Sequence, residues 1–147
     1  MLAIDWGTTS FRAYRLDPEG GIVDSRSAPA GILCVEDGNF AGVLEQQAGD
    51  WIAAGETPVV MSGMIGSRQG WLEVPYAACP AGLDEIAAGM RRVVSNTGEA
   101  WIAPGITCRD ETGKIVRFST HMTGEAFAVL KTHSILGRRT QWTARKA

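Results

Sequence analysis

Short apolar runs that end in glycine-rich turns alternate along this chain with segments whose apolar residues recur at helical spacing. Residues 1–6 and 59–61 are two of the apolar runs, and residues 39–54 between them have the periodicity of an amphipathic helix that stops at Gly55. Because each helix in such an order must cover one face of a sheet, this alternation predicts an α/β fold.

The other predicted elements extend the same alternation. Residues 1–6, 11–16 and 22–28 are predicted to be three strands joined by tight turns, and the stretch "AWIAPGI", residues 100–106, a further buried strand that ends in Pro104 and Gly105. A second helix is expected where apolar residues again recur at intervals of three and four. Those residues are Leu83, Ile86, Ala87, Met90, Val93 and Val94. A strand through Phe118 and a last helix from Thr123, with Glu125 in its first turn, to Gly137 complete the prediction.

Composition excludes several classes of function. With 147 residues, 45% of them hydrophobic, the chain can build one sizeable core, and a net charge of -2 lacks the positive field that a nucleic-acid binder needs. No apolar stretch approaches the length that spans a bilayer. The three cysteines, Cys34, Cys79 and Cys108, are odd in number and widely spaced, which predicts no disulfide framework, no zinc site and a cytoplasmic protein.

Several conspicuous side chains have ordinary structural interpretations. Arg91 and Arg92 are expected on the solvated face of the second helix, and the cysteines as small core residues. Packing explains Trp51 on a helix and Trp101 in a buried strand. His121 and His133 have no partner at ligand spacing and are expected to be structural or on the surface.

The stretch "DWGTTS" combines a carboxylate at a strand end with a turn rich in hydroxyl groups. Asp5 suits a hydrated Mg²⁺, since this cation prefers oxygen ligands and keeps several waters. Gly7 allows close backbone approach, and the three residues after it offer hydroxyl and amide donors that suit phosphate oxygens: Thr8, Thr9 and Ser10. An ordinary turn uses the same residue types and is the alternative.

The wider sequence resembles a known family. The hairpin with Arg12 after it is similar to the first phosphate motif of the sugar kinase, actin and heat-shock chaperone ATPase superfamily. Four segments resemble, in order, the 2-dehydro-3-deoxygalactonokinase family: "IDWGTTSFRAY", "PVVMSGMIGSRQGWLEVPY", "WIAPGI" and "STHMTGEAFAVLKTHSILG". The resemblance implies a ribonuclease-H-like first domain and phosphorylation of 2-dehydro-3-deoxy-D-galactonate at its 6-hydroxyl, with ATP and Mg²⁺ as cofactors.

The same resemblance assigns residues to a site. Asp5 would serve the metal, and Gly7, Thr8, Thr9 and Ser10 the nucleotide phosphates. The sugar-acid side of the cleft would be formed by Gly63, Met64, Ile65, Gly66 and Ser67, with Trp71 as a wall. Arg68 is added from chemistry alone, since a guanidinium binds a carboxylate bidentately. The catalytic base stays unassigned between Asp84 and Asp110.

The chain also departs from the family pattern. Residues 1–137 are expected to form a kinase-like domain with an internal deletion near 110–114, and residues 138–147 a basic tail where relatives continue into a second domain. Because catalysis in this superfamily needs a cleft that closes between two domains, an inactive remnant or a fragment that binds a small ligand or a partner is the alternative to an active kinase. Another sugar or anhydro-sugar kinase of the superfamily is a third interpretation. Missing flanking segments predict self-association through exposed sheet edges.

Overall fold

The computed structural model describes residues 1–109 and 112–118, which form nine strands and two α-helices. The strands are β1 (Leu2–Trp6), β2 (Phe11–Leu16), β3 (Ile22–Ala28), β4 (Val59–Gly63), β5 (Ala77–Ala78), β6 (Arg91–Ser95), β7 (Gly98–Ile102), β8 (Ile106–Arg109) and β9 (Ile115–Phe118). The helices are α1 (Phe40–Ala53), before β4, and α2 (Leu83–Gly89), before β6. The predicted mixed α/β class is confirmed.

Six strands form one sheet in the order β3-β2-β1-β4-β7-β6. β1 pairs antiparallel with β2 and parallel with β4, β4 pairs parallel with β7, and β6 closes the edge antiparallel to β7. The three predicted N-terminal strands are confirmed. Because β1 and β4 are parallel, their carboxyl ends reach the same edge of the sheet, which is where ligands bind in open α/β sheets.

Helix α1 covers one face of this sheet and forms the larger core with it. The Asn39 side chain caps the helix by accepting a 3.0 Å hydrogen bond from the backbone N–H of Gly42, and Gly55 follows it with φ +91°. The helix residues buried against the sheet are Phe40, Leu44, Ala48, Trp51 and Ile52. Each such large side chain contributes about 1.5–3 kcal/mol. The helix predicted over residues 39–54 is confirmed.

Helix α2 lies on the opposite face and is shorter than the periodicity predicts. Leu83 and Ile86 form a second apolar cluster with Ala3 and Val60 of the sheet. The helix ends at Gly89, and Val93 and Val94 belong to strand β6, so the prediction of one long helix is wrong. The apolar residues on the two sides of Gly89 have helical spacing by coincidence. Pairing with β7 and the β-branched side chains of Val93 and Val94 favour a strand after Gly89.

Three side chains of strands β6 and β7 also differ from expectation. Arg91 and Arg92 are exposed, but on strand β6 and not on a helix. Trp101 is 37% exposed, so its prediction as a buried residue is wrong. Successive side chains of a strand point to opposite faces, and the neighbours Ala100 and Ile102 take the face that packs on α1.

A second sheet of three strands, in the order β5-β8-β9, contains a disulfide bond between Cys79 and Cys108. Parallel pairing of Ala78 with Thr107 places these cysteines one residue further along each strand, with Cα atoms 5.0 Å apart. Cys34 is exposed. The predictions of no disulfide and of core cysteines are therefore wrong, because the pairing joins residues 29 positions apart and leaves no local motif.

Strand β9 confirms the strand predicted through Phe118. The predicted helix from Thr123 to Gly137, both histidines, Asp110 and the tail over residues 138–147 lie outside the described residues. Within the described part, no helix is long and apolar enough to cross a membrane.

Candidate functional site

The turn between β1 and β2 presents backbone donors at the sheet edge. The Gly7 amide donates a 2.8 Å hydrogen bond to the Ser10 carbonyl and closes the turn. Thr8 and Thr9 are exposed, and within residues 1–109 and 112–118 their amides donate to no backbone carbonyl. Two adjacent amides and two hydroxyls are thus accessible to an anion, as a phosphate-binding turn requires.

Asp5 lies just before this turn and is 6% exposed. One carboxylate oxygen, Oδ2, accepts a 3.1 Å hydrogen bond from Nη1 of Arg12, which is directly opposite on β2. No cluster of three or more His, Cys, Asp or Glu side chains suited to a metal is found in the described residues. A single carboxylate agrees with the way Mg²⁺ is held together with substrate phosphates and waters.

A neighbouring segment fixes the conformation of the turn. The amides of Ile32 and Leu33 donate to the carbonyls of Gly7 and Thr8 at 3.0 and 3.2 Å. Gly31 passes so close to the Thr8 and Thr9 backbone that there is no space for a Cβ atom. These bonds turn two carbonyls of the hairpin away from the exposed donors, which is the orientation an anion favours.

Gly63 brings the second predicted segment against Asp5. In the parallel register of β1 and β4, Asp5 pairs with Ser62 and Trp6 with Gly63. Gly63 has φ +94° and ψ -148°, and a Cβ atom there would lie 2.7 Å from the Trp6 carbonyl oxygen and 3.0 Å from Oδ1 of Asp5. Only glycine allows this approach. The two segments that the sequence assigns to the site therefore meet.

Residues 64–74 form a compact loop that starts with a single 3-10 turn, Met64–Gly66. The Trp71 and Val74 amides donate to the carbonyls of Ile65 and Gly66 at 3.0 and 2.9 Å. Ile65 is fully buried in the larger core, and the partly buried Trp71 stacks on Phe40 with ring centroids 6.3 Å apart. Both residues support the loop from the core side.

A cavity of about 550 Å³ opens on the other side of this loop. Four of the predicted sugar-acid residues line it: Met64, Gly66, Ser67 and Arg68. Four further residues line it that the sequence prediction did not include: Gln69, Glu73, Tyr76 and Arg117. Gln69 and Glu73 follow Arg68 in the sequence and could have been found there, whereas Arg117 comes from strand β9 through pairing that no motif announces.

The turn between β1 and β2 and the cavity are separate surfaces that β4 connects. The hairpin residues and Gly63 do not line the cavity, which begins one residue after Gly63. Asp84, one candidate for the catalytic base, is exposed in the first turn of α2 and lines neither surface.

Comparison with known proteins identifies relatives. The sequence profile of the 2-keto-3-deoxy-galactonokinase family matches residues 5–114 and 109–147. The chain is 31% identical over 135 residues to a protein of Rhizobium meliloti (strain 1021) named as a probable 2-dehydro-3-deoxygalactonokinase, and covers 42% of it. It is 33% identical over 144 residues to the 2-dehydro-3-deoxygalactonokinase of Escherichia coli (strain K12), and covers 48% of it. These matches include 92% and 96% of this chain.

A solved structure agrees with these relatives. The crystal structure of a provisionally assigned 2-dehydro-3-deoxygalactonokinase from Sinorhizobium meliloti matches with a TM-score of 0.61 and 29% identity, over 92% of this chain and 42% of that one. The chain thus spans less than half the length of the relatives it matches. The profile match over both parts of the sequence shows that the chain belongs to the 2-keto-3-deoxy-galactonokinase family.

Proposed function

We propose that this chain is the part of an ATP-dependent 2-dehydro-3-deoxygalactonokinase that holds the nucleotide phosphates and the sugar acid. The close approach of Gly63 to Asp5 supports the proposal, because it places the β1–β2 turn beside the loop that borders the cavity. The strand order β3-β2-β1-β4-β7, with β2 antiparallel, supports a ribonuclease-H-like domain of the sugar kinase and actin type.

The hairpin would bind the phosphates. The exposed amides and hydroxyls of Thr8 and Thr9 suit phosphate oxygens, with Ser10 and Gly7 closing the turn. Asp5 would hold Mg²⁺, whose charge neutralises the transferring phosphoryl group. Arg12 keeps the Asp5 carboxylate in place through its 3.1 Å hydrogen bond.

The cavity would bind 2-dehydro-3-deoxy-D-galactonate. Gly66 and Ser67 offer backbone and hydroxyl groups to a polyol, and Arg68 a guanidinium to its carboxylate. The product expected of a complete enzyme is the 6-phosphate, and the compartment we propose for it is the cytoplasm.

A second candidate is a binding-competent but inactive remnant. The chain covers 42% and 48% of the two named relatives, and its two profile matches overlap at residues 109–114, which agrees with an internal deletion there. Phosphoryl transfer in this superfamily requires two domains that close on the nucleotide. We therefore expect residues 1–147 by themselves to bind ligands without turnover.

Calorimetric titration with Mg-ATP and with the sugar acid, followed by a coupled ADP assay in the same sample, tests both candidates. We expect Asp5→Asn to weaken Mg-ATP binding roughly tenfold or more while leaving sugar-acid binding unchanged. Asp24→Asn, an exposed carboxylate on β3, is the matched control. Clear ADP release that depends on the sugar acid would exclude the remnant, and Mg-ATP binding unaffected by Asp5→Asn would contradict the assignment of the hairpin.

Self-association is proposed through the sheet edges. β3 and β6 are the outer strands, and Ile22, Val23 and Val94 on them are 54%, 53% and 66% exposed. Unpaired strand edges with apolar side chains promote association. Sedimentation velocity should show a concentration-dependent increase in mass, and a monomer at every concentration would contradict this.

A further inference from the structure

Two of the described arginines differ from all the others. Arg12, Arg15, Arg26 and Arg92 are ion-paired with carboxylates, and Arg91 and Arg109 donate to backbone carbonyls. Arg68 and Arg117 make no hydrogen bond or ion pair within residues 1–109 and 112–118, and both line the same cavity.

Two unpaired cations on one concave surface are an unfavourable arrangement without a ligand. Like charges on one concave surface repel each other, although Arg68 and Arg117 are both exposed, and among the described residues Glu73 is the one carboxylate that lines the cavity with them. An anion between the guanidiniums would remove this repulsion and could accept bidentate hydrogen bonds. The cavity is therefore complementary to an anion that also carries neutral polar groups.

Arg117 is held in position by the second sheet. It lies opposite Thr107 in the antiparallel pairing of β8 with β9, and its guanidinium carbon is 5.9 Å from the ring centroid of Tyr76. A cation over an aromatic face is attracted by the ring quadrupole. Because Tyr76 directly precedes β5, the small sheet fixes both residues against the loop that contains Arg68.

We infer that Arg68 and Arg117 form a guanidinium pair that binds the substrate carboxylate, and that Arg117 determines the preference for a sugar acid over a neutral sugar. This rests on the proposed function, to which it adds a residue from outside the glycine-rich loop. Glu73 would accept hydrogen bonds from the hydroxyl groups of the same ligand. The two arginines lie in different profile matches, 5–114 and 109–147, so the pair exists only where both segments fold together.

Calorimetry on the 147-residue chain tests the pair with three probes: 2-dehydro-3-deoxy-D-galactonate, neutral D-galactose and inorganic phosphate. We expect Arg117→Gln and Arg68→Gln each to weaken binding of the sugar acid roughly 10- to 100-fold, as for loss of a charged hydrogen bond, with no effect on galactose. Arg117→Lys should keep only part of the affinity for the sugar acid, because an ammonium cannot bind a carboxylate bidentately. The exposed Arg91→Gln on β6 is the control and should bind all three probes like the original chain.

The outcomes separate the pair from the proposed function. Sugar-acid binding unchanged in Arg117→Gln, in a variant with unchanged circular dichroism, would overturn the pair and leave the kinase assignment standing. Phosphate binding as tight as that of the sugar acid would overturn the carboxylate preference, and absence of sugar-acid binding in the original chain would overturn the pair itself. Binding of the acid that depends on Arg117, without any binding of Mg-ATP, would keep the pair and contradict the proposed function.

Discussion

The β1–β2 turn and the cavity beside β4 are built in different ways. The turn is one continuous stretch, residues 5–10, and the backbone of residues 31–33 holds it through hydrogen bonds to Gly7 and Thr8. The cavity combines side chains of the loop after β4 with Tyr76 and with Arg117 of the second sheet. The first region should therefore respond to glycine substitutions and the second to changes in how the second sheet is held together.

Gly63→Ala should have the largest effect, because this residue connects both regions. Its φ and ψ belong to a region that is almost exclusive to glycine, and a Cβ would collide with the Trp6 carbonyl and approach Asp5. We expect a loss of about 3 kcal/mol or more in the free energy of unfolding, together with weaker Mg-ATP and sugar-acid binding. Urea denaturation and calorimetry measure these quantities.

Gly55→Ala is the matched control for this experiment. Gly55 also has a positive φ, +91°, but a Cβ there would meet nothing within 4 Å. The control should carry the backbone strain without the collision and should leave ligand binding intact. Equal effects of both substitutions on binding would show that close packing at Gly63 does not join the two regions.

The β1–β2 turn could be predicted from the sequence and much of the cavity could not, because only the turn is formed by adjacent residues. Asp5 to Ser10 are adjacent in the chain, so the strand, the carboxylate and the turn could all be identified together. Arg117 and the Cys79–Cys108 disulfide depend on pairing between short strands far apart in the sequence, which propensity does not encode. The long α2 prediction failed likewise, since pairing of β6 with β7 overrode a helical spacing.

Loss of the disulfide should affect the cavity and leave the turn unchanged. Under oxidising conditions, Cys79→Ser should lower stability by about 3 kcal/mol, because it removes a cross-link between residues 29 positions apart. Sugar-acid binding should weaken while Mg-ATP binding persists. With dithiothreitol the original chain and the variant should melt alike, and the exposed Cys34→Ser is the control under both conditions. Weaker Mg-ATP binding by Cys79→Ser would contradict the independence of the two regions.

Gly31→Ala should show the opposite selectivity. A Cβ at this position overlaps the backbone of Thr8 and Thr9, but Gly31 has an ordinary extended conformation, φ -65° and ψ 172°, so the substitution adds no backbone strain to the overlap. We expect a stability loss of about 1–3 kcal/mol and weaker Mg-ATP binding, with sugar-acid binding retained. Gly38→Ala in the same loop, where φ is +68° and a Cβ would meet nothing within 4 Å, controls for strain in the loop without an overlap with the turn. A comparable loss of affinity for both ligands in Gly31→Ala would contradict a local role for residues 31–33.

The smallest effect is expected far from both regions, where Asp50 of α1 and Arg26 of β3 form a pair at 2.5 and 2.6 Å and Arg26 lies 3.7 Å from the Trp51 ring centroid. The hydrogen bond from Arg26 lowers the pKa of Asp50 from its ordinary value of 3.8. A lowered folded-state pKa means that the pair stabilises the fold above about pH 4, and that this contribution disappears as the pH falls through the folded pKa.

Asp50→Asn should therefore have a slightly lower melting temperature than the original chain at pH 7. In acid the two melting temperatures should converge, and both ligands should bind normally at either pH. Because the carboxylate is exposed, solvent screening keeps the difference small. Thermal melts from pH 7 to pH 3, with the exposed Glu19→Gln as control, measure it, and a difference that grows in acid would show that the ion pair is not its cause.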